Sequence, residues 1–123
     1  ILLGHKDLIL KVDIEGDEYK ILNHVKKDYK KINLLIIEFH NITQNFKKIK
    51  KFISKSRYRL IHIHGNNYAG LDKFKNPNVI ECTFINNRKF KVSRFKSKYK
   101  YPIPDLDFKN FKRRKDIEIN FND

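Results

Sequence analysis

The stretch Leu8-Ile9-Leu10-Lys11-Val12-Asp13-Ile14-Glu15-Gly16-Asp17-Glu18-Tyr19 decides how this chain folds. Its first seven residues form a nearly continuous apolar run, short enough for a strand and apolar enough for one covered on both faces. Glu15-Gly16-Asp17 ends the run. Gly16 takes a tight turn at little steric cost, and Asp17 and Glu18 suit a helix N-terminus, where the dipole favours negative charge. From there Tyr19, Leu22, Val25, Tyr29 and Ile32 recur at three- and four-residue spacing, with Lys20, Lys26, Lys27 and Lys30 on other faces. That spacing predicts an amphipathic helix.

The same unit then repeats. Leu34-Leu35-Ile36-Ile37-Glu38-Phe39 reads as a second buried strand ending at His40-Asn41. Ile42, Phe46, Ile49 and Ile53 mark a second helix, with Lys47, Lys48, Lys50 and Lys51 outward, and Ser54-Lys55-Ser56 ends it. Arg59-Leu60-Ile61-His62-Ile63-His64 is a third strand, closed by Gly65-Asn66-Asn67. A loop containing Gly70 and Pro77 leads to a fourth, Val79 to Ile85, and Asn86-Asn87 signals a turn into an antiparallel partner, Lys89 to Phe95. Strands alternating with helices build right-handed βαβ units and a parallel sheet, so the fold class is α/β. Three such strands are too few for a complete doubly wound sheet, and the remainder is expected upstream of Ile1.

Composition narrows the classes. A chain of 123 residues, 40% hydrophobic and 13% aromatic, fits one globular domain with a modest core. No apolar run approaches the roughly 20 residues that cross a bilayer. The chain has no initiator Met and opens in apolar Ile1-Leu2-Leu3, which reads as the interior of a longer domain. Residues 1–123 are therefore expected to form a single partial domain, with 96–123 as an irregular C-terminal extension in which Pro102 and Pro104 favour an extended path. The formal charge of +14 suggests a basic module tracking nucleic acid or an acidic surface, through the Lys-rich helices and the stretches Lys89 to Arg94 and Lys109 to Lys115. The competing reading is compositional. Lys, Asn, Ile, Phe and Tyr share A/T-rich codons, and the lysines fall on solvated helix faces, so nucleic acid is not the expected partner. Cys82 forms no internal disulfide and supplies no cysteine cluster; it reads as a small buried hydrophobe, compatible with a reducing cytoplasm, the expected location.

In open parallel sheets ligands bind outside the carboxyl ends of the strands. Asp13 and Glu15 end the first strand, Glu38 and His40 the second, and His62, His64, Asn66 and Asn67 follow on the third. Alternation puts Glu38 and His40 on one side of their strand and His62 and His64 on one side of theirs. Asp13 and Glu15 either cap the helix that follows or serve a site, while Glu81 is either a water-facing edge residue or a buried acid paired with a site histidine. His40 or His64 is the expected base, with Asp13 and Glu38 orienting the imidazole. A divalent metal on the same carboxylates and imidazole is the alternative, though no metal ligands are predicted, because spacing alone does not fix a coordination geometry.

These residues carry a resemblance. Lys11-Val12-Asp13-Ile14-Glu15-Gly16-Asp17-Glu18-Tyr19 resembles the K-[IVM]-D-[IV]-E-G-x-E segment of FkbM-type methyltransferases, and Ile37-Glu38-Phe39-His40 resembles their I-E-x-H strand end. His62-Ile63-His64-Gly65-Asn66-Asn67, then Pro77 and Ile80-Glu81-Cys82-Thr83-Phe84, are similar to an H-x-H-x-N-N … P … [IVL]-E-x-T-[FY] stretch. Pro104-Asp105-Leu106-Asp107-Phe108-Lys109-Asn110 is similar to a P-x-L-D-x-x-N tail. The resemblance runs in order from about Asp7 to Phe121. It implies the C-terminal half of a Rossmann-like methyltransferase sheet, in which Val79 to Ile85 is an antiparallel strand inserted beside the third. It also implies S-adenosylmethionine as cofactor and a sugar or other small hydroxylated acceptor. Mapped onto this chain, the implied catalytic residues are Asp13, Glu38, His40 and His64. The cofactor contacts are Asp13, Glu15 and Gly16, and the acceptor contacts are His62, Asn66 and Asn67. The family's glycine-rich first turn and acidic second strand end have no counterpart in these residues, so tight cofactor binding and turnover are not expected of this chain alone.

Overall fold

The computed structural model describes residues 6–92 and 97–119. The apolar opening Ile1-Leu2-Leu3, residues Ser93 to Phe95 of the expected last strand, and the tip of the C-terminal extension from 120 lie outside the described residues.

The elements run β1 (Leu8–Val12), α1 (Glu18–Lys27), β2 (Ile32–His40), α2 (Ile42–Lys55), β3 (Tyr58–Gly65) and β4 (Val79–Asn86). They form one four-stranded sheet in the order β1-β2-β4-β3. β1 and β2 pair in parallel, and β4 is antiparallel to both β2 and β3. The three strands that precede β4 therefore point the same way and end on one edge. The sheet is mixed, because the last strand slots between β2 and β3.

Alternation sorts the sheet into two faces. Leu35, Ile37 and Phe39 of β2 and Cys82 and Phe84 of β4 are at most 1% exposed and make up the core face. Both helices pack there. Tyr19 of α1 stacks on Phe39, and Phe52 of α2 meets Phe84 edge-on. Burial raises the pKa of the Cys82 thiol, and the neighbouring Glu81 charge adds to it, so Cys82 is a packing residue rather than a nucleophile.

The opposite face carries Ile9, Ile36, Glu38, Thr83, Glu81, His62 and His64. The segment 101–119 crosses its β3–β4 half, while Ile9 of β1 stays 70% exposed. This segment has no helix or strand, only isolated bridges from Gly65 to Ile117 and from Tyr101 to Ile119.

Three expectations are corrected. α1 stops at Lys27, where the Asp28 amide donates to the His24 carbonyl. The chain turns through Tyr29, and Ile32 is the buried first residue of β2 rather than part of the helix. In α2 the buried stripe is Ile42, Ile49 and Phe52, while Phe46 and Ile53 are exposed; Phe52 anchors the helix on Phe84 and rotates the stripe away from those two. Residues 89–92 form no strand. The Asn86 side chain turns the chain back at the end of β4, accepting from the Arg88 amide and donating to the Tyr29 and Ile32 carbonyls.

Candidate functional site at the strand ends

Beyond Val12 the chain leaves the sheet through a turn with positive φ at Glu15 (55°) and Gly16 (106°). The turn exposes Asp13 and Glu15 at the end of β1. It also brings Glu18, the first residue of α1, inward. Glu18 is fully buried, and its Oε1 accepts from the Gly16 amide at 3.2 Å and pairs with Nδ1 of His40, the last residue of β2. Tyr19 fixes the same residue from its backbone side, its hydroxyl donating to the His40 carbonyl at 2.5 Å. The other ring nitrogen, Nε2, faces two further carboxylates, Glu15 and Glu38, each 3.8 Å away.

The imidazole is thus ringed by acid. Burial disfavours the imidazolium, but the Glu18 hydrogen bond and the charges of Glu18, Glu38 and Glu15 outweigh it and raise the His40 pKa above its usual 6.5. With Glu18 taking the Nδ1 hydrogen, the neutral ring presents the Nε2 lone pair to the strand ends. Ligand atoms of Asp13, Glu15 and His40 lie within 4.8 Å of one another, a grouping of the kind that can hold a metal ion.

The third strand end is organised differently. Asn66 donates to Glu38 Oε1 at 3.1 Å, and its own Oδ1 accepts from the amides of Tyr68 and Ala69, so one side chain folds the loop after β3 and holds a site carboxylate. Asn67 is 2% exposed; it accepts from the Phe111 amide and donates to the carbonyls of Phe111, Arg114 and Lys115. His62 pairs with Asp107 at 3.0 Å and packs edge-on against Tyr101, and His64 pairs with Asp116 at 3.3 Å. His62, His64 and Asn67 therefore face the C-terminal segment. Glu81 pairs with Lys11 at 3.3 Å, both side chains partly exposed, and also meets the cavity beside His64.

Asp13, Glu15, Glu38 and His40 accordingly converge, with Asn66 joining through Glu38. Glu18 and Tyr19 belong to the same centre and were read from the sequence only as helix and motif residues, not as site residues. A signal for Glu18 existed: it lies four and seven residues before Leu22 and Val25 and so shares their buried stripe. A carboxylate on a buried helix face must find a partner. Asp107 stands at the D of the P-x-L-D-x-x-N resemblance, but neither it nor Asp116 had a signal of this periodic kind, because their segment has no periodicity.

Among the described residues no helix is long and apolar enough to cross a membrane. No curated protein and no solved structure matches the chain. Residues 4–60 match the model of the methyltransferase FkbM domain, a span that takes in β1 to α2 and ends at the start of β3. That match supports the FkbM methyltransferase family for this chain.

Proposed function

We propose that these residues form the acceptor side of an S-adenosylmethionine-dependent O-methyltransferase acting on a sugar or similar hydroxylated small molecule. The observation that carries this reading is the His40 centre, an imidazole fixed at Nδ1 by buried Glu18 and presenting Nε2 at the common edge of β1 and β2. The strand order, with antiparallel β4 inserted between β2 and β3, is consistent with the C-terminal half of a Rossmann-like methyltransferase sheet.

When bound, the cofactor supplies an electrophilic methyl on a sulfonium. Asp13, Glu15 and Gly16 fit one margin of such a group. Asp13 and Glu15 are exposed, and a Cβ added at Gly16 would make only an ordinary contact with Asn41 Nδ2 at 3.8 Å. With the cofactor bound, His40 Nε2 would take the proton of the acceptor hydroxyl, and Glu18 would stabilise the imidazolium that forms. Glu38, held by Asn66, orients the acceptor beside Nε2.

A second reading is favoured by the Asp13, Glu15 and His40 grouping. A divalent ion there would lower the acceptor's pKa directly. Titration with Mn2+ monitored by electron paramagnetic resonance separates the two: stoichiometric binding that disappears in His40→Ala supports the metal, and no binding supports the base. The function itself is tested by labelled methyl transfer with the whole gene product. His40→Ala should lower the rate by about 10²–10⁴-fold, the usual contribution of a general base. Unchanged rates in His40→Ala and Asp13→Asn would remove these residues from the mechanism.

A further inference from the structure

A cavity of about 240 Å3 opens beside the His40 centre, between the sheet and the C-terminal segment. Glu38, His64, Asn66 and Glu81 form its floor, and Leu106, Asp107, Phe108 and Asn110 its far wall. Drug-sized ligands occupy pockets of roughly 300–1,000 Å3, so this one suits a single ring rather than a nucleotide or a macrocycle. Two amides and three carboxylates supply donors and acceptors, while Leu106 and Phe108 offer apolar surface and are 60% and 78% exposed. That mixture suits a ring carrying several hydroxyls.

The charge of the lining is the informative part. The chain carries 28 Lys and Arg against 14 Asp and Glu, yet among the described residues no Lys or Arg lines this cavity, and three carboxylates do. Asp107 is engaged by His62 and by the Ile103 amide. The described contacts of Glu38 go to its Oε1, and those of Glu81 to its Oε2, from Lys11. Lys11 lies outside the cavity lining and is 58% exposed at its side chain, and such an exposed pair contributes little and yields to a better-placed cation.

The geometry points to an acceptor that is a hydroxylated ring bearing an amine, an amino sugar or aminocyclitol, with the ammonium between Glu38 and Glu81. The amine supplies a cation where the described lining holds no Lys or Arg, and the acids repel a ring bearing carboxylate or phosphate. This rests on the acceptor-side reading above and adds a charge preference to it.

The test is a nuclear magnetic resonance titration of the 15N-labelled chain at mildly acidic pH with glucosamine, glucose and glucuronate. Glucosamine should bind about tenfold or more tighter than glucose, the worth of one charge-assisted hydrogen bond, and glucuronate more weakly than either. The perturbed amides should include those of Asn66, Glu81 and Asn110. Glu81→Gln, with its spectrum otherwise retained, should cut the preference for glucosamine over glucose several-fold, and Phe108→Ala should weaken both sugars alike. Equal binding of the three sugars, a preference for glucuronate, or no binding of any overturns the inference. Because no S-adenosylmethionine is present, these outcomes are separate from whether the protein transfers methyl groups.

Discussion

Replacing Glu18 by Gln perturbs the one interaction on which the candidate centre depends. In the wild type, burial pulls the His40 pKa down while the Glu18 hydrogen bond and charge, with Glu38 and Glu15, bring it above 6.5. The Glu18→Gln side chain keeps the shape and removes the charge. A hydrogen bond to a charged group contributes about 1.5–3 kcal/mol, and a tenfold change in a protonation equilibrium corresponds to about 1.36 kcal/mol. The His40 equilibrium should therefore move about ten- to a hundredfold toward the neutral ring. Stability follows by linkage. A histidine whose folded pKa is raised contributes stability that is fully present below its unfolded value near 6.5 and is lost as pH rises through the folded pKa. Wild-type stability from this site should therefore decline above pH 6.5, and the decline should vanish in Glu18→Gln, where charging His40 is no longer favoured by folding. Proton titration of the His40 ring by nuclear magnetic resonance, with urea unfolding at pH 6 and pH 8, measures both. An unshifted His40 pKa in Glu18→Gln would refute the reasoning, because the Glu18 carboxylate would then have no hold on the ring.

Other outcomes follow from the same contacts. If neutral His40 is the base, kcat/KM for methyl transfer by the whole gene product should rise with pH through a pKa above 6.5; a rate that falls over that range contradicts it. Gly65→Ala places a Cβ 2.9 Å from Ile117 Cβ and should cost about 1–3 kcal/mol, relieved when Ile117→Gly removes that Cβ, as a double-mutant cycle in urea would show. Asn67→Ala strips the partners from Phe111, Arg114 and Lys115; it should cost about 1–3 kcal/mol and speed proteolysis within 101–119 while β1 to β4 keep their hydrogen-exchange protection.

The parts of the fold that were legible are those whose signal is local. The apolar runs at Leu8, Leu34, Arg59 and Val79 all became strands, and the stripes after Asp17 and Asn41 became helices. What failed also has a local cause. Tyr29 and Ile32 continue the helical spacing, yet the carbonyl of Lys31 accepts from Leu8 and places Ile32 in the sheet, a partnership no window of α1 contains. Phe46 looked like core because it is apolar, whereas Phe52 reaches Phe84 and decides which side of α2 faces inward. At the site, strand-end position alone brought out Asp13, Glu15, Glu38 and His40. The partners of His62 and His64 lie 45 and 52 residues away in a segment without periodicity, so nothing short of the fold reveals that these two histidines hold it down. Glu18 was hidden differently. A carboxylate at a helix start is so well explained by the dipole that its place on the buried stripe passed as incidental.

The central claim is that His40 takes the acceptor proton in a methyl transfer, and chemical rescue tests it most directly. Labelled methyl transfer by the whole gene product would be measured for His40→Ala with and without added imidazole. The account predicts a deep loss in the variant and partial recovery with imidazole, which enters the space left beside Glu18, Glu15 and Glu38. Wild-type rates in His40→Ala without imidazole would contradict it.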